Sequence, residues 1–130
     1  MSSPTRYTFK KNERLTHKPT IDKLFQSKGN RIVAKPLSLV FRETELRGDS
    51  PSQLLISVPK KKFRRAVHRN RIKRLIRESY RMQKHRLYEV LGDSKQLALG
   101  IVFISTEIPT YKSVNRAVKK LIDDLSTRVS

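Results

Sequence analysis

The sequence predicts an α+β fold, an α/β sandwich in which helices pack on a four-stranded sheet. Its apolar residues switch between a helical period and alternation, in the order helix, three strands, helix, strand, helix (α-β-β-β-α-β-α). A length of 130 residues fits a single domain over 1–130 and leaves no room for two. No internal repeat or low-complexity linker divides the chain.

The N-terminal part is predicted to be a tail followed by a short helix. Residues 1–14 are polar and basic, and we expect them to form a flexible tail. A helix is predicted over about 18–27, because Pro19 suits a first helical turn and Gly29 favours an end. The apolar stripe of this helix is Ile21, Leu24 and Phe25.

Three strands are predicted next. Residues 31–35 include two β-branched apolar residues, residues 37–42 place apolar side chains at alternate positions, and residues 54–58 form a mostly apolar run. Residues 47–51 have the composition of a turn between the last two strands. We interpret their Arg-Gly-Asp triplet as part of a hairpin loop rather than as an adhesion motif.

A long helix is predicted over about 65–90, ending at Gly92. At 100° per residue it has two different sides. The side expected to face the core holds Ile72, Leu75, Ile76, Ser79 and Tyr80. The opposite side holds Asn70, Lys73, Arg74, Arg77 and Arg81.

A buried strand and an amphipathic helix complete the domain. The strand is predicted over 97–105, and the helix is predicted to follow Thr110 or Ser113 as its N-cap. The helix has apolar residues at positions 114, 117, 118, 121, 122 and 125. The strand–helix–strand unit over 54–105 is expected to place two parallel strands in one sheet, and the general preference of such units predicts a right-handed crossover.

Positive charge is concentrated in residues 60–86. The chain has a formal net charge of +19, and this segment contributes 13 basic residues against one acid, Glu78. Adjacent like charges destabilise a helix unless an anion neutralises them. Eight of the 13 are arginines, which grip phosphate with two donors and stack on bases. The sequence therefore predicts a nucleic-acid partner rather than a membrane surface, and Asn70 can read a base or backbone edge.

Composition excludes several other classes of protein. With no cysteine, the chain has no disulfide framework, no thiolate metal site and no cysteine nucleophile. The longest apolar run, 97–104, is too short to span a bilayer, and the N-terminus lacks the apolar region of a secretory signal. We therefore expect a cytoplasmic protein.

Residue patterns leave DNA and RNA both open and reveal no catalytic group. No helix-turn-helix, dimerisation heptad or zinc-ligand spacing is present. Aromatic or apolar side chains on which the bases of single-stranded RNA could stack are equally well explained as core or tail residues. Those candidates are Tyr7, Phe9, Phe25 and Val40. The three histidines lack metal-ligand spacing, Asp123 and Asp124 diverge on a helix, and no phosphate-binding glycine loop occurs.

Residues 63–78, Phe-Arg-Arg-Ala-Val-His-Arg-Asn-Arg-Ile-Lys-Arg-Leu-Ile-Arg-Glu, resemble the signature of the bacterial ribonuclease P protein subunit. The preceding Ser-Val-Pro-Lys-Lys at 57–61 is similar to the strand end of that family, and the likeness extends in order over about 7–126. The resemblance implies a ribosomal protein S5 domain 2-like sandwich with a left-handed strand–helix–strand crossover, the opposite of the general preference.

The resemblance also implies a function. The family's protein is a cofactor of a catalytic RNA, and together they remove the 5′ leader of precursor tRNA. The RNA and its Mg²⁺ carry out the hydrolysis, so neither catalytic side chains nor a protein metal site is expected, and no obligate protein partner is implied. Two alternatives are a structural RNA-binding protein of the ribosomal type and a free-standing nuclease.

Residue roles follow from the resemblance by position. The residues implied to bind RNA are Lys60, Lys61, Arg64, Arg65, Arg69, Asn70, Arg71, Lys73, Arg74 and Arg77. The residues implied to line a cleft for the single-stranded leader are Ile21, Phe25, Ser38 and Val40. Some family members have aromatic residues in place of Ile21 and Val40, so leader binding here is expected to depend more on charge. The stretch from Lys62 to Arg65 replaces a glycine-containing turn found in some members.

Overall fold

The computed structural model describes residues 11–26, 30–93 and 95–129. Their elements are a 3₁₀ turn at Lys11–Glu13, helix α1 (Lys18–Gln26), strands β1 (Arg31–Ala34), β2 (Leu37–Glu43) and β3 (Ser52–Ser57), helix α2 (Ala66–Leu91), strand β4 (Leu97–Phe103) and helix α3 (Tyr111–Val129). The predicted order of elements is confirmed, with most ends shifted by one or two residues. The predicted helix stop at Gly29 lies outside the described residues.

The four strands form one mixed sheet in the order β1-β2-β4-β3. Strand β2 pairs antiparallel with β1 and with β4, whereas β3 pairs parallel with β4. The parallel pair predicted for the strand–helix–strand unit is therefore confirmed, with α2 as its connection. The hand of that crossover stays a prediction.

The two faces of the sheet bury different amounts of apolar surface. On one face, alternate residues of β2 and β4 meet the apolar sides of α2 and α3 in the main core, around Leu39, Ile76 and Val118. On the other face, α1 covers a smaller cluster. This second cluster consists of Leu15, Leu24, Val40, Leu46 and Ala98. Since α1 is only nine residues long, part of this second face is left beside it.

Both long helices have the ends that local chemistry favours. The backbone N–H of Ser113 donates to Oγ1 of Thr110 at 3.1 Å, so Thr110 rather than Ser113 is the N-cap of α3. Gly92 ends α2 with φ of 56°, and its N–H donates to the carbonyl of Tyr88. A positive φ is accessible to glycine at low cost, which explains the stop at this position.

Residues 11–15 are packed against the domain. The prediction of a flexible tail over 1–14 is therefore wrong for residues 11–14, the part of it that the structure describes. Arg14 forms a parallel bridge with Leu54, and the backbone N–H of Leu15 donates to the Leu54 carbonyl at 3.0 Å. Glu13 is only 6% exposed. The segment therefore extends the sheet briefly beyond β3, its edge strand, and then leads into α1.

A buried polar cluster joins this segment to α2 and β3. The Glu13 carboxylate forms an ion pair with Lys84 and accepts a hydrogen bond from the Tyr88 hydroxyl at 2.6 Å. The hydroxyl of Ser52 lies 2.7 Å from that of Tyr80 and donates to that of Tyr88 at 3.0 Å. Lys84, counted above among the cations of the helix, is 4% exposed and belongs to this cluster.

The cluster predicts a loss of stability at alkaline pH. Burial and the hydrogen bond to Glu13 raise the pKa of Tyr88 from 10.0 to about 12. The folded state therefore holds this proton more tightly than the unfolded chain does. The contribution of Tyr88 to the free energy of unfolding is fully present below pH 10 and is lost as the pH rises towards 12. We expect the free energy of unfolding of Tyr88→Phe to fall by about 1–2 kcal/mol less than that of the wild type over this pH range.

Urea unfolding of both proteins at pH 9 and at pH 11.5 measures the effect. The free energy of unfolding should fall more for the wild type than for Tyr88→Phe between the two pH values. Equal falls would show that Tyr88 does not ionise differently in the folded and unfolded states.

Candidate RNA-binding surface

The start of α2 and the loop before it present a dense group of positive charges. The exposed members of the predicted RNA-binding set are Lys60, Lys61, Arg64, Arg65, Asn70, Arg71 and Arg74. The half-buried members are Arg69, Lys73 and Arg77. We call the exposed seven residues the basic surface.

The loop before α2 is held in place by contacts of its own backbone. After β3, the N–H groups of Lys62 and Phe63 both donate to the carbonyl of Pro59. The buried Phe63 ring packs against Phe103 of β4, with ring centroids 5.7 Å apart. These contacts fix where Lys60 and Lys61 stand relative to the helix.

Arg69 has a structural role that the sequence did not reveal. Its guanidinium donates to the carbonyls of Phe63 and Arg64, each at 2.8 Å. These bonds close the loop onto the first turn of α2. We therefore interpret Arg69 as a positioning residue for the basic surface, in contrast to the exposed Arg71 and Arg74.

The electrostatics of this helix end favour an anion. The N-terminus of a helix carries a partial positive charge, and acidic residues usually lie there. The first turn of α2 contains no acid, and the preceding residue, Arg65, makes no side-chain capping bond. Cations and the helix dipole therefore add at the same place, an arrangement that phosphate groups stabilise.

Lys73 and Arg77 are less exposed than the sequence predicted. Both were expected on the solvent side of the helix, but they are half-buried and line a recess with Arg14. Burial lowers the pKa of Arg77, and the positive charges of Arg14 and Arg74 lower it further. Further along the outer side, Glu78 forms an ion pair with Arg81, and this hydrogen bond lowers the pKa of Glu78.

Two of the four predicted cleft residues belong largely to the interior. Val40 is 2% exposed and Ser38 is 5% exposed, whereas Ile21 is half-buried and Phe25 is 43% exposed. Phe25 and Val40 both lie against Gly100, because a Cβ built on Gly100 would lie 3.0 Å from an atom of each. A glycine in β4 is thus what lets the end of α1 lie close to the sheet.

On the sheet face that α1 partly covers, one row of residues crosses all four strands, and only Ser38 of this row was predicted from the sequence. The register of the strands pairs Val33 with Ser38, Ser38 with Val102, and Val102 with Ser57. Val33 is 57% exposed, and Val102 and Ser57 are half-buried. The row leads from β1 to the end of β3, just before Lys60. In the sequence this row is indicated only by the alternation of side chains between the two faces of each strand. That alternation does not show which strands are neighbours.

One histidine and two acidic side chains have ordinary partners on other parts of the molecule. His17 lies within hydrogen-bonding distance of Thr20, Asp123 pairs with Arg86, and Asp124 pairs with Arg128. In the described part of the chain, no three His, Asp or Glu side chains lie together so that they could hold a metal ion. Among residues 11–26, 30–93 and 95–129, no helix combines the length and apolar character needed to cross a membrane.

Comparison with known proteins identifies a family for this sequence. Residues 9–126 match the family described as Ribonuclease P. The ribonuclease P protein component of Porphyromonas gingivalis is 40% identical over 121 residues, which cover 92% of this chain and 88% of the relative. That of Chlorobium phaeobacteroides is 28% identical over 129 residues, which cover 91% and 88%.

Solved structures share the fold. The RNase P protein of Staphylococcus aureus superposes with a TM-score of 0.69 at 20% identity, over 88% of this chain and 96% of that one. The protein of Thermotoga maritima gives 0.66 at 22% identity, over 86% and 96%. Since the family match spans most of the sequence and a relative is 40% identical over 92% of this chain, the chain belongs to the ribonuclease P protein family and is a protein component of that endoribonuclease.

Proposed function

We propose that the chain binds the catalytic ribonuclease P RNA through the basic surface and binds the 5′ leader of precursor tRNA in the cleft beside α1. The observation that carries this proposal is the concentration of exposed cations at the uncapped start of α2. Phosphates neutralise such a group of charges and release counterions from the RNA. The binding free energy then offsets the repulsion among the cations.

The cleft suits a single strand rather than a duplex. Phe25 exposes an aromatic ring, and the neighbouring row offers apolar and small polar side chains from Val33 to Ser57. Aromatic rings bind single strands by stacking on bases without regard to sequence. Val40 packs in the second core cluster with Leu24, so its contribution is to hold α1 against the sheet rather than to contact a base.

In this proposal the side chains position RNA, and the RNA holds the Mg²⁺ that hydrolysis requires. Mg²⁺ prefers oxygen ligands, whereas the basic surface supplies cationic groups and one amide, and the nearby Glu78 is engaged by Arg81. The cations lower the repulsion between the catalytic RNA and its substrate. The leader adds contacts that mature tRNA lacks, which favours precursor over product. A cytoplasmic location is part of the same proposal.

Reconstitution tests the proposal. The purified chain, the ribonuclease P RNA of the same organism and a 5′-extended precursor tRNA are mixed at low Mg²⁺, with RNA alone and protein alone as controls. We expect cleavage at the mature 5′ end only when both components are present. Cleavage by the protein alone would indicate a nuclease. Failure to stimulate an RNA that cleaves at high Mg²⁺ would favour the structural RNA-binding alternative.

Phe25→Ala tests the cleft separately. We expect the preference of the reconstituted enzyme for precursor over mature tRNA to fall by about fivefold or more, because a stacked base contributes about 1–3 kcal/mol. Tyr111→Ala is a matched control, since Tyr111 is similarly exposed, at 40%, but begins α3. If both variants keep the wild-type ratio of dissociation constants, the leader does not bind at Phe25.

A further inference from the structure

We propose that Gly100 of β4 is a positioning residue for the leader, because its missing side chain lets the Phe25 ring stand on the strand at the depth that a bound base requires. We call this contact between Gly100 and the tip of the ring the ring seat. The inference rests on the proposed function and extends it to a residue outside the predicted cleft set. Gly100 is buried beneath α1 and acts on RNA only through Phe25.

Space rather than backbone conformation explains the glycine at position 100. Gly48 and Gly92 have positive φ angles, which favour glycine, whereas Gly100 lies inside the regular pairing of β4 with β2 and β3. A glycine within a strand weakens it and is typical of a place where another group approaches closely. The group that approaches Gly100 is the end of α1.

Helix α1 lies over β4 and β2 and ends at the border of the open part of this face. Its start shares a recess with Gln53, which is level with Ala98 of β4. Its end, at Phe25, lies over Gly100. The next residue of β4 on the same face is Val102, a member of the row that crosses the sheet. Phe25 therefore stands where the covered face ends and the row begins.

The Phe25 ring points at the strand with its tip. A Cβ built on Gly100 would lie 3.0 Å from Cζ of Phe25, 3.0 Å from Cγ2 of Val40 and 3.3 Å from Cδ2 of Leu24. Cζ is the ring atom farthest from the backbone, so the ring stands on β4 at this atom. Because 43% of Phe25 is exposed, the ring above this contact is open to a base beside it.

A methyl group at position 100 would displace Phe25 rather than its neighbours. Carbon atoms pack at about 3.5–4.0 Å, so the methyl group needs about 0.5 Å more room beside Phe25 and Val40. Val40 and Leu24 are 2% and 0% exposed and are enclosed in the second core cluster. The exposed ring of Phe25 moves away from the strand more easily. A base that stacks on the displaced ring then loses contact with the row beneath it.

The test is Gly100→Ala in the reconstituted enzyme, with the dissociation constants of precursor and mature tRNA as the readout. We expect the preference for precursor to fall by about threefold or more, but by less than in Phe25→Ala, because the ring is displaced rather than removed. The dissociation constant for the catalytic RNA alone should keep its wild-type value. With leaders shortened stepwise, the variant and the wild type should converge once the leader no longer reaches Phe25.

Gly92→Ala is the matched control for the loss of a glycine. A Cβ on Gly92 would meet nothing within 4 Å, but the φ of 56° makes an alanine strained there. We expect this variant to lose stability in urea unfolding and to keep the wild-type preference for precursor. A fall in preference as large as that of Gly100→Ala would show that lost stability, not the ring seat, is responsible, and would overturn the proposal.

Gly100→Ala combined with Phe25→Ala shows whether Gly100 acts through the ring. Without the ring, the added methyl group should cause no further fall in preference, so the two effects should not multiply. If Phe25→Ala lowers the preference, then a wild-type preference in Gly100→Ala, or a full further fall in the double variant, would overturn the ring seat and leave the proposed function intact. A wild-type preference in Phe25→Ala would instead overturn the proposed binding of the leader at Phe25.

Discussion

Reversing two charges of the basic surface, Arg71→Glu with Arg74→Glu, is expected to abolish binding to the catalytic RNA at physiological salt. Each wild-type arginine that contacts a phosphate contributes about 1.5–3 kcal/mol, so losing both weakens binding by at least about 100-fold even before repulsion is added. Glutamate is a good helix former and is favourable near a helix N-terminus, so the fold should be retained. Circular dichroism and filter binding measure the two properties.

Arg69 is unsuitable for this experiment, although the resemblance places it in the signature. Its bonds to the carbonyls of Phe63 and Arg64 hold the loop, so its loss would disturb both structure and charge. The matched control is Arg116→Glu with Lys119→Glu, which makes the same change of charge on the exposed side of α3. If the control loses as much affinity as the test variant, binding reflects total charge rather than the basic surface.

Lys84→Met is expected to lower the free energy of unfolding by about 3–5 kcal/mol, because it leaves the Glu13 carboxylate buried without its cation. A domain of this size has only about 5–15 kcal/mol of stability, so the variant should unfold at a clearly lower urea concentration. Glu13→Met combined with Lys84→Met removes both charges and should recover much of the loss. Urea unfolding at neutral pH compares the three proteins.

Arg86→Met is the control for this effect. Arg86 lies two residues further along α2 and forms an ion pair with Asp123, but both side chains are about half exposed. Exposed pairs contribute about 0–1 kcal/mol, so this variant should remain close to the wild type. If Lys84→Met is as stable as Arg86→Met, the buried pair does not hold the N-terminal segment to the domain.

Local patterns predicted the elements of this fold well. The amphipathic period of α3, the alternation in β2 and the stop at Gly92 depend on residues within a few positions of one another. A period also shows which side of a helix is apolar, and the core residues Ile72 and Ile76 lie on the predicted side. Because the cations of the basic surface are adjacent in the chain, the main part of the candidate site could be predicted in the same way.

Contacts between distant residues decided the rest. The sequence alone determined that α2 is basic and that the chain should bind a polyanion, since charge and period are properties of neighbouring residues. Only the tertiary structure decided that Lys84 is buried, because its partner Glu13 lies 71 residues earlier. Likewise, Arg14 reaches Lys73 and Arg77 only because its segment pairs with the edge of β3. A helical period shows which side chains share a face, but which face meets another segment depends on the packing of the whole domain.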